Sequence, residues 1–231
     1  PMFQMLKHAE TVEDAPAGSP KALILLPIKE LAMQVHEESK KITHHAKLRV
    51  RVALGGQKGK RVTSLKSTQI DVLIGGPGRI KSMLEKGEIN LERTEFIVVD
   101  EADQLLDMGF HKDLKAIRSH FKKQYQVCLF SATMGSEFDK LKSEIFSGYE
   151  FEDIAVQGAH ALPKTIETYN IALEYTEKPI MLKQFLKNEA KGRGVVFVNQ
   201  IENVKDVYAQ ITELMPDRRT FVLHRELTAE E

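Results

Sequence analysis

The chain has 231 residues, and its 33 lysines and arginines balance its 33 aspartates and glutamates, so the formal net charge is zero. Hydrophobic residues at 42% and charged residues at 29% exclude a disordered or fibrous protein, and a neutral chain binds nucleic acid only through a local basic patch. The single cysteine, Cys128, excludes a disulfide framework, and the longest strongly apolar run, residues 22–27, is too short to span a bilayer.

Short apolar segments alternate along the chain with segments of helical periodicity. The predicted strands are residues 22–26, 50–54, 71–75, 96–99, 127–130, 168–175, 194–198 and 220–223. Most are nearly continuous Val, Ile, Leu and Phe, as expected for strands that helices cover on both faces. Between them, apolar residues recur at helical spacing in residues 31–42, 110–121 and 201–214. The alternation predicts an α/β fold with open parallel sheets.

Residues 156–164 interrupt both periodicities with glycine, proline and polar residues, which indicates a domain boundary. We predict a sheet domain in residues 1–157, a linker in residues 158–165 and a second domain in residues 166–231. The second domain has about three predicted strands, fewer than a typical sheet. Because the chain also begins with Pro1 and not with methionine, we expect a piece of a longer polypeptide.

The sharpest feature is the sequence Phe-Ile-Val-Val-Asp-Glu-Ala-Asp at residues 96–103. A buried strand that ends in acids places Asp100 and Glu101 at the carboxyl edge of a parallel sheet, where such folds bind ligands. In nucleotide hydrolases the first acid holds Mg²⁺, commonly through water, and the second orients or deprotonates the attacking water. An acidic helix start explains this stretch about equally well.

Hydroxyl side chains follow the next predicted strand. Ser131, Ala132 and Thr133 come directly after residues 127–130, so the hydroxyls should lie along the same sheet edge and could bond Asp103. Taken alone, the triplet is more simply interpreted as the N-cap of a helix around residues 138–145.

Three turns that follow predicted strands present backbone N–H groups at the same edge. Helix N-termini bind phosphates, and neighbouring basic side chains add charge. Each turn is routine by itself, but three on one edge favour a phosphate-binding surface. The residues concerned are Pro27, Lys29, Glu30, Gly55, Gly56, Pro77, Gly78 and Arg79.

Residues 39–70 contain nine lysines and arginines and no aspartate or glutamate. This stretch is the candidate for the local basic patch, with salt-dependent binding, although a solvated basic face explains it as well. The phosphate-cradling pattern G-x-x-x-x-G-K-[ST] does not occur in the sequence. The similar loop at residues 55–61 misses the spacing by one residue and has Arg61 where a hydroxyl is needed.

Together these motifs resemble those of DEAD-box ATP-dependent RNA helicases. Residues 100–103 resemble the family signature, and residues 131–133 fall at the family's spacing behind it. Residues 27–32 resemble P-T-R-E-L-A, residues 55–56 the glycine doublet and residues 76–79 T-P-G-R. Six or seven ordered matches cover nearly the whole chain, which makes the resemblance specific.

Two further motifs of the family are matched in the second domain. Residues 195–199, with Phe197 and Asn199, resemble the strand motif I-F-V-N/F, and residues 223–227, with His224, resemble L-H-G-x-L. The resemblance implies two RecA-like domains in tandem, whose cleft binds ATP and Mg²⁺ and whose joint surface binds RNA. It also implies that this chain starts just after the family's phosphate loop and stops before its last motifs.

The resemblance assigns roles to the candidate residues. Asp100 would hold magnesium, Glu101 would position the attacking water, and Asp103 would meet Ser131 and Thr133. Lys29, the glycines and Arg79 would lie along the RNA phosphates, so little base specificity is expected. Departures from the family pattern are Ile28, Lys29, Gly76 and Arg225, where the family has Thr, Arg, Thr and Gly.

The resemblance leaves more than one function open. The first is an RNA-dependent ATPase and helicase that remodels RNA duplexes or ribonucleoproteins; the second is a catalytically degenerate scaffold for ribonucleoprotein or ribosome assembly. An unrelated α/β hydrolase is the weakest alternative. We expect this chain alone to be inactive, because it has no phosphate loop. RNA is the expected partner, with ribosomal or other assembly proteins as candidates, and we expect an intracellular soluble monomer outside such complexes.

Overall fold

A computed structural model describes residues 1–8, 16–55, 65–154, 165–190, 192–224 and 227, without the side chains of His44 and His45. The chain divides into two compact units, Pro1–Leu162 and Pro163–Glu231. Gly56 and the basic residues 58, 60 and 61 lie outside the described residues, as do residue 225 and most of the predicted linker.

Five strands and six α-helices alternate through the described part of the first unit. The strands are β1 (Ala22–Leu25), β2 (Val50–Ala53), β3 (Val72–Gly75), β4 (Phe96–Val99) and β5 (Gln126–Leu129). The helices are α1 (Met2–His8), α2 (Lys29–Ala46), α3 (Pro77–Glu85), α4 (Ala102–Asp107), α5 (His111–Arg118) and α6 (Ser136–Lys140). A π-helical turn, Leu141–Ile145, continues α6, and a 3₁₀ turn, Leu65–Ser67, precedes β3.

The strands form one parallel sheet in the order β2-β3-β1-β4-β5. Ala22 is in register with Val72 on one side and with Phe96 on the other. The predicted α/β class with a parallel sheet is therefore confirmed, and each of the five strand predictions lies within one residue of the observed strand at either end.

Hydrophobic cores cover both faces of this sheet, as the continuous apolar strands predict. Leu23 and Leu25 point into a cluster with residues of α3 and α5, and Ala22 and Ile24 point into a second cluster with α1 and α2. Because successive side chains of a strand alternate between faces, every residue of β1 is buried.

The predicted apolar face of α2 is buried only in part, because Leu31 and Val35 pack against the core and Ile42 does not. Ile42 is 57% exposed, whereas Ser39 and Thr43 are buried against the sheet. The buried positions 32, 39 and 43 follow helical spacing, and a residue next to position 43 is rotated by about 100° from it. Residue 42 therefore faces solvent. The helical periodicities of residues 110–121 and 201–214 agree with α5 and with the last helix of the chain.

The second unit differs from the sequence prediction. It contains a 3₁₀ turn, Tyr175–Glu177, and the helices α7 (Lys178–Asn188) and α8 (Ile201–Leu214), whose contact includes a bond from Gln210 Nε2 to the Pro179 carbonyl (2.6 Å). The described residues of the predicted strands 168–175, 194–198 and 220–223 form no strand, so these predictions are wrong for this structure. An extended segment becomes a stable strand only when a neighbour pairs with it, and none of these segments has such a partner in the described residues.

None of the helices in the described ranges has the length and apolar character needed to cross a membrane.

Candidate functional site

The carboxyl ends of the five parallel strands lie along one edge of the sheet, which we call the carboxyl edge. Backbone hydrogen bonds continue past the strand ends: Leu26 N–H donates to the Gly75 carbonyl (3.2 Å), and Asp100 N–H donates to the Leu25 carbonyl (3.0 Å). Phe130 N–H likewise donates to the Val99 carbonyl (2.9 Å). The segments that contain the predicted site residues of the first unit therefore start from the same edge.

Asp100 and Glu101 follow β4, next to the central strand β1, and both are half-buried. Asp100 Oδ1 accepts a hydrogen bond from the Glu101 N–H (3.0 Å). Glu101 has left-handed backbone angles, φ 50° and ψ 50°, which cost a non-glycine residue about 1–2 kcal/mol. It occupies the N-cap position of α4, but its side chain makes no capping bond. The glutamate is thus strained without capping the helix, and such strain is concentrated at functional sites.

The residues at this edge suit a magnesium ion that a bound nucleotide would share. Mg²⁺ is usually bound by one or two carboxylates together with phosphates and waters, and seldom by a cage of protein ligands. Asp100 supplies a partly exposed carboxylate, and the described residues contain no group of three or more histidine, cysteine or acidic side chains that could hold a metal. This donor set fits a nucleotide-bound magnesium and not a fully protein-ligated one.

Asp103 links the segment after β4 to the segment after β5. Its Oδ2 accepts hydrogen bonds from Thr133 Oγ1 (2.7 Å) and from Thr133 N–H (3.1 Å), and its Oδ1 accepts one from Gln104 N–H (2.9 Å). Ser131 Oγ donates to the Thr133 carbonyl (2.6 Å) and so closes the turn. Burial pushes the pKa of Asp103 upward, but the hydrogen bonds from Thr133 and Gln104 outweigh burial and hold it below its ordinary value.

The hydroxyl residues after β5 do not act as helix caps. The helix that follows, α6, has Gly135 at its N-cap and receives no side-chain capping bond. Ala132 is exposed between the two hydroxyl residues. The structure thus places Thr133 against Asp103, a contact that the spacing of the two motifs allowed. The simpler interpretation of these residues as a helix cap did not predict this contact.

The predicted phosphate-contacting turns leave the N-termini of two helices uncapped by side chains. Ile28 is the N-cap of α2 and Gly76 that of α3, and neither helix receives a side-chain capping bond. Lys29 and Glu30 are exposed in the first turn of α2, whereas Pro27 and Pro77 are buried. First-turn N–H groups without such caps can bind an anion. In α3, however, Pro77 has no N–H and the Arg79 N–H donates to the Gly76 carbonyl (3.1 Å), so Gly78 is the first-turn donor there.

Gly55 is exposed after β2, and no atom of the described residues lies within 4 Å of the position that a Cβ would take there. The described part of the chain therefore leaves room for a close backbone approach at Gly55. Its neighbour in the doublet, Gly56, is outside the described residues.

Arg79 is not free at the edge. Its Nη2 lies 3.6 Å from Glu88 Oε2, and its Nε is buried and has no hydrogen-bond partner among the described residues. A Cβ at the neighbouring Gly78 would lie 3.6 Å from Asp113 Oδ2, so the start of α3 is also close to α5. An approaching phosphate would have to compete with Glu88 for Arg79.

The basic stretch 39–70 is partly neutralised, contrary to its unbroken positive sequence. Lys40 pairs with Glu37 (2.9 Å) and Lys41 with Glu38 (2.5 Å), because acids lie one helical turn earlier on α2. Arg49 pairs with Asp71. Lys47 and Lys66 are exposed.

The ion pair between Arg49 and Asp71 has a structural role, and counting charged residues along the sequence did not predict it. Asp71 Oδ2 accepts bonds from Arg49 N–H (2.6 Å) and Nε (2.9 Å), and Oδ1 accepts one from Nη2 (3.0 Å). Burial raises the pKa of Asp71, but the bonds and charge of Arg49 outweigh it and hold the pKa below the ordinary value. Only the pairing of β2 with β3 reveals that residues 49 and 71 are neighbours.

The candidate residues of the second unit lie outside regular structure. Phe197 is 92% exposed, Asn199 is exposed and His224 is half-exposed. Their roles stay predictions.

A parallel α/β sheet with an acid pair at its carboxyl edge belongs to the class of RecA-like, nucleotide-binding folds. A family model for the DEAD/DEAH box helicase matches residues 1–141. The chain therefore belongs to the DEAD/DEAH box helicase family.

Individual relatives agree with this assignment. The chain is 34% identical over 205 residues to DEAD-box ATP-dependent RNA helicase 53 of Oryza sativa subsp. japonica, covering 89% of this chain and 33% of that protein. It is 29% identical over 217 residues to ATP-dependent RNA helicase DBP4 of Pyricularia oryzae, covering 94% of this chain and 27% of that protein. The chain thus spans about a third or less of the length of these curated relatives.

Solved structures share the fold. Saccharomyces cerevisiae Dbp5 bound to RNA and ADP BeF3 matches with a TM-score of 0.74 at 21% identity, covering 99% of this chain and 56% of that chain. A DEAD box protein from Methanococcus jannaschii matches with a TM-score of 0.55 at 29% identity, covering 86% of this chain and 52% of that chain.

Proposed function

We propose that this chain is part of an RNA-dependent ATPase and helicase, with the hydrolytic centre at the carboxyl edge of its parallel sheet. The observation that carries the proposal is the Asp103–Thr133 connection beside the strained Glu101. It ties the acid-bearing segment to the next loop of the edge, which a simple acidic helix start would not require. Family membership and relatives named as ATP-dependent RNA helicases support the same function.

In this proposal the two acids divide the work of hydrolysis. Asp100 would hold magnesium together with nucleotide phosphates and waters. When bound, the metal supplies charge neutralisation for the transferred phosphoryl group. Glu101 orients the attacking water and accepts its proton, and its left-handed backbone sets the direction of the side chain independently of helix capping.

Asp103 has a positioning role. Three N–H and O–H donors already bond its two oxygens, so it is poorly suited to hold a metal or take a proton. It holds the segments after β4 and β5 together instead. A displacement of the acid pair during hydrolysis would therefore also displace Thr133 and Ser131. This connection offers a route by which the nucleotide state affects the rest of the molecule.

RNA binds along the same edge through its phosphates. The uncapped first turns of α2 and α3 offer N–H groups, Lys29 adds an exposed positive charge, and Gly55 leaves room for the backbone. Pro77 and Gly78 shape the second of these helix starts, and Arg79 joins once it leaves Glu88. Contacts of this kind read the sugar-phosphate backbone and give little base specificity.

Nucleotide and RNA binding to both RecA-like domains would close them and separate a short duplex locally, and hydrolysis would reopen them. Phe197, Asn199 and His224 are the residues of the second domain that we assign to this coupling. Ribosomal or other ribonucleoprotein assembly proteins are the partners proposed for the whole protein.

A catalytically degenerate scaffold is the second candidate, and the Arg79–Glu88 pair favours it. An RNA-contacting arginine that is already paired within the chain would weaken the RNA grip that drives hydrolysis. Such a protein would bind ribonucleoprotein without turnover.

The two candidates are separated by phosphate release from ATP by the whole protein, measured with and without single-stranded RNA. A helicase body predicts a slow basal rate that rises with RNA concentration. RNA binding without any stimulated release would contradict the enzyme and support the scaffold.

A further inference from the structure

A groove of about 400 Å³ follows the outer side of β2, away from the carboxyl edge. One wall is the consecutive segment formed by residues 48–52, and the other is formed by His36, Lys40 and Thr43 of α2. Lys40 is eleven residues after Lys29, which places it about 16 Å further along the helix from the phosphate-binding turn. The groove therefore lies away from the phosphate-binding turn of α2, although its cations belong to the basic stretch 39–70.

The strand that forms this groove is at the end of the sheet and, among the described residues, pairs with β3 alone. The carbonyl of Arg49 accepts bonds from the N–H groups of Asp71 (2.9 Å) and Val72 (3.2 Å), so it faces β3. Because backbone groups of successive strand residues point to opposite sides, Val50 and Val52 turn their N–H and C=O groups outward. In the described part of the chain, Val52 makes no backbone bond on that side.

The polar groups that line the groove are incompletely satisfied. Among the described residues, His36 Nδ1 is buried without a hydrogen-bond partner, and Glu37 Oε1 lies 3.6 Å from it. Arg51 Nη1 donates to the outward-facing Val50 carbonyl (3.1 Å).

The charge of the groove is positive and localised. No acidic residue lines it, and its cations are Lys40, Arg49 and Arg51. Lys40 and Arg49 have carboxylate partners in Glu37 and Asp71, whereas Arg51 has no ion pair among the described residues. The surplus is thus concentrated on Arg51, which suits isolated carboxylates better than a continuous chain of phosphates.

We propose that this edge groove binds an acidic segment of a partner protein in extended conformation, as an additional strand on β2. The row of outward N–H and C=O groups matches a peptide main chain, which nucleic acid does not have. Arg51 would exchange the Val50 carbonyl for a carboxylate of the peptide and free that carbonyl for a peptide N–H. Main-chain bonds supply affinity and Arg51 selects acidic sequences.

The test is fluorescence anisotropy of the chain with a labelled short peptide that alternates glutamate and valine. The matched probe alternates lysine and valine. The acidic peptide is expected to bind and the basic one to bind far more weakly. Equal binding of both peptides would overturn the proposal, and so would displacement of the acidic peptide by single-stranded RNA.

Two variants address the two parts of the groove. Arg51→Glu reverses the selecting charge, and Val52→Pro removes an outward N–H without a ladder bond, a substitution that edge strands tolerate. Each variant should bind the acidic peptide with an affinity lower by about fivefold or more, and its circular dichroism spectrum should be unchanged. The control Lys115→Glu makes the same charge change on an exposed residue of α5 and should leave the affinity unchanged. Unchanged affinity in Arg51→Glu, or equal weakening in Lys115→Glu, would contradict the proposal.

Discussion

The carboxylate of Asp103 is the best-anchored acidic group of the carboxyl edge. It accepts both the hydroxyl and the N–H of Thr133, and its pKa is held below the ordinary value although burial alone would raise it. It is therefore ionised at neutral pH and fixed in position. The residue types of this site were predictable from the sequence, because an apolar strand that ends in acids is recognisable. The bond to Thr133 and the left-handed backbone of Glu101 were not, because they depend on the neighbouring loop.

Replacing Thr133 tests that bond. Thr133→Val removes the hydroxyl donor but keeps the N–H, so the pKa of Asp103 should rise toward its ordinary value, whereas Thr133→Ser should leave it low. Titration of the Asp103 carboxyl carbon by NMR measures both. If the valine and serine variants titrate alike, the hydroxyl bond does not hold the carboxylate.

The pair formed by Arg79 and Glu88 should oppose RNA binding. Glu88→Gln removes the charge that holds the guanidinium, so RNA affinity should increase by about two- to fivefold, the range expected for a partly exposed ion pair. Anisotropy with a labelled single-stranded RNA measures the change. The control is Glu92→Gln, which breaks the exposed pair with Lys122 and should leave the affinity close to that of the parent chain. A gain of the same size in both variants would show that only net charge matters.

At the scale of elements, the strands were predictable because helices cover both sheet faces. That burial produces the continuous apolar runs, and β4 was predicted to the residue. The strand order was not predictable, and with it the contacts between neighbours. From the sequence alone, Arg49 was assigned to a basic patch. In the structure β2 lies beside β3, and Arg49 donates hydrogen bonds to Asp71.

The Arg49–Asp71 pair should make the fold sensitive to acid. The folded-state pKa of Asp71 is lowered, so its stabilising effect is complete above the ordinary aspartate pKa and is lost as the pH falls through the lowered value. Asp71→Asn should reduce the free energy of unfolding at neutral pH by about 1–3 kcal/mol, a modest amount because Arg49 is partly exposed. Below about pH 4, the variant should lose less stability with falling pH than the parent chain does. Urea unfolding across this pH range measures it. Asp153→Asn, which breaks the exposed bond to Lys142, should change little; equal effects would contradict the structural role of Asp71.

Packing between β2, β3 and α3 requires glycine at position 75. A Cβ there would lie 2.9 Å from the Ala53 carbonyl oxygen and 3.2 Å from Ile80 Cδ1. Gly75→Ala should therefore lower the free energy of unfolding by about 1–3 kcal/mol, as overpacking usually does. Gly55→Ala, where nothing lies within 4 Å, serves as the control in chemical denaturation. Equal stability of the two variants would show that the strands move apart without cost.

At the scale of the whole molecule, the predicted strands agree with the structure in the first unit but not in the second. In Pro1–Leu162 the predicted strands pair, whereas in the described part of Pro163–Glu231 the apolar segments form no strand, with Phe197 and Leu223 more than 90% exposed. Apolar periodicity identifies segments that can be strands, but pairing depends on neighbours that periodicity does not reveal. The family assignment rests on the family model that matches residues 1–141 and does not need those strands.

The central claim is that the carboxyl edge hydrolyses ATP through Glu101. The most direct measurement is single-turnover hydrolysis by the whole protein with saturating RNA, in the parent and in Glu101→Gln. Loss of the group that accepts the proton of water should slow hydrolysis by about 100-fold or more while ATP affinity is retained. The control, Glu150→Gln, changes an exposed glutamate and should be silent. Unchanged hydrolysis in Glu101→Gln would contradict the account.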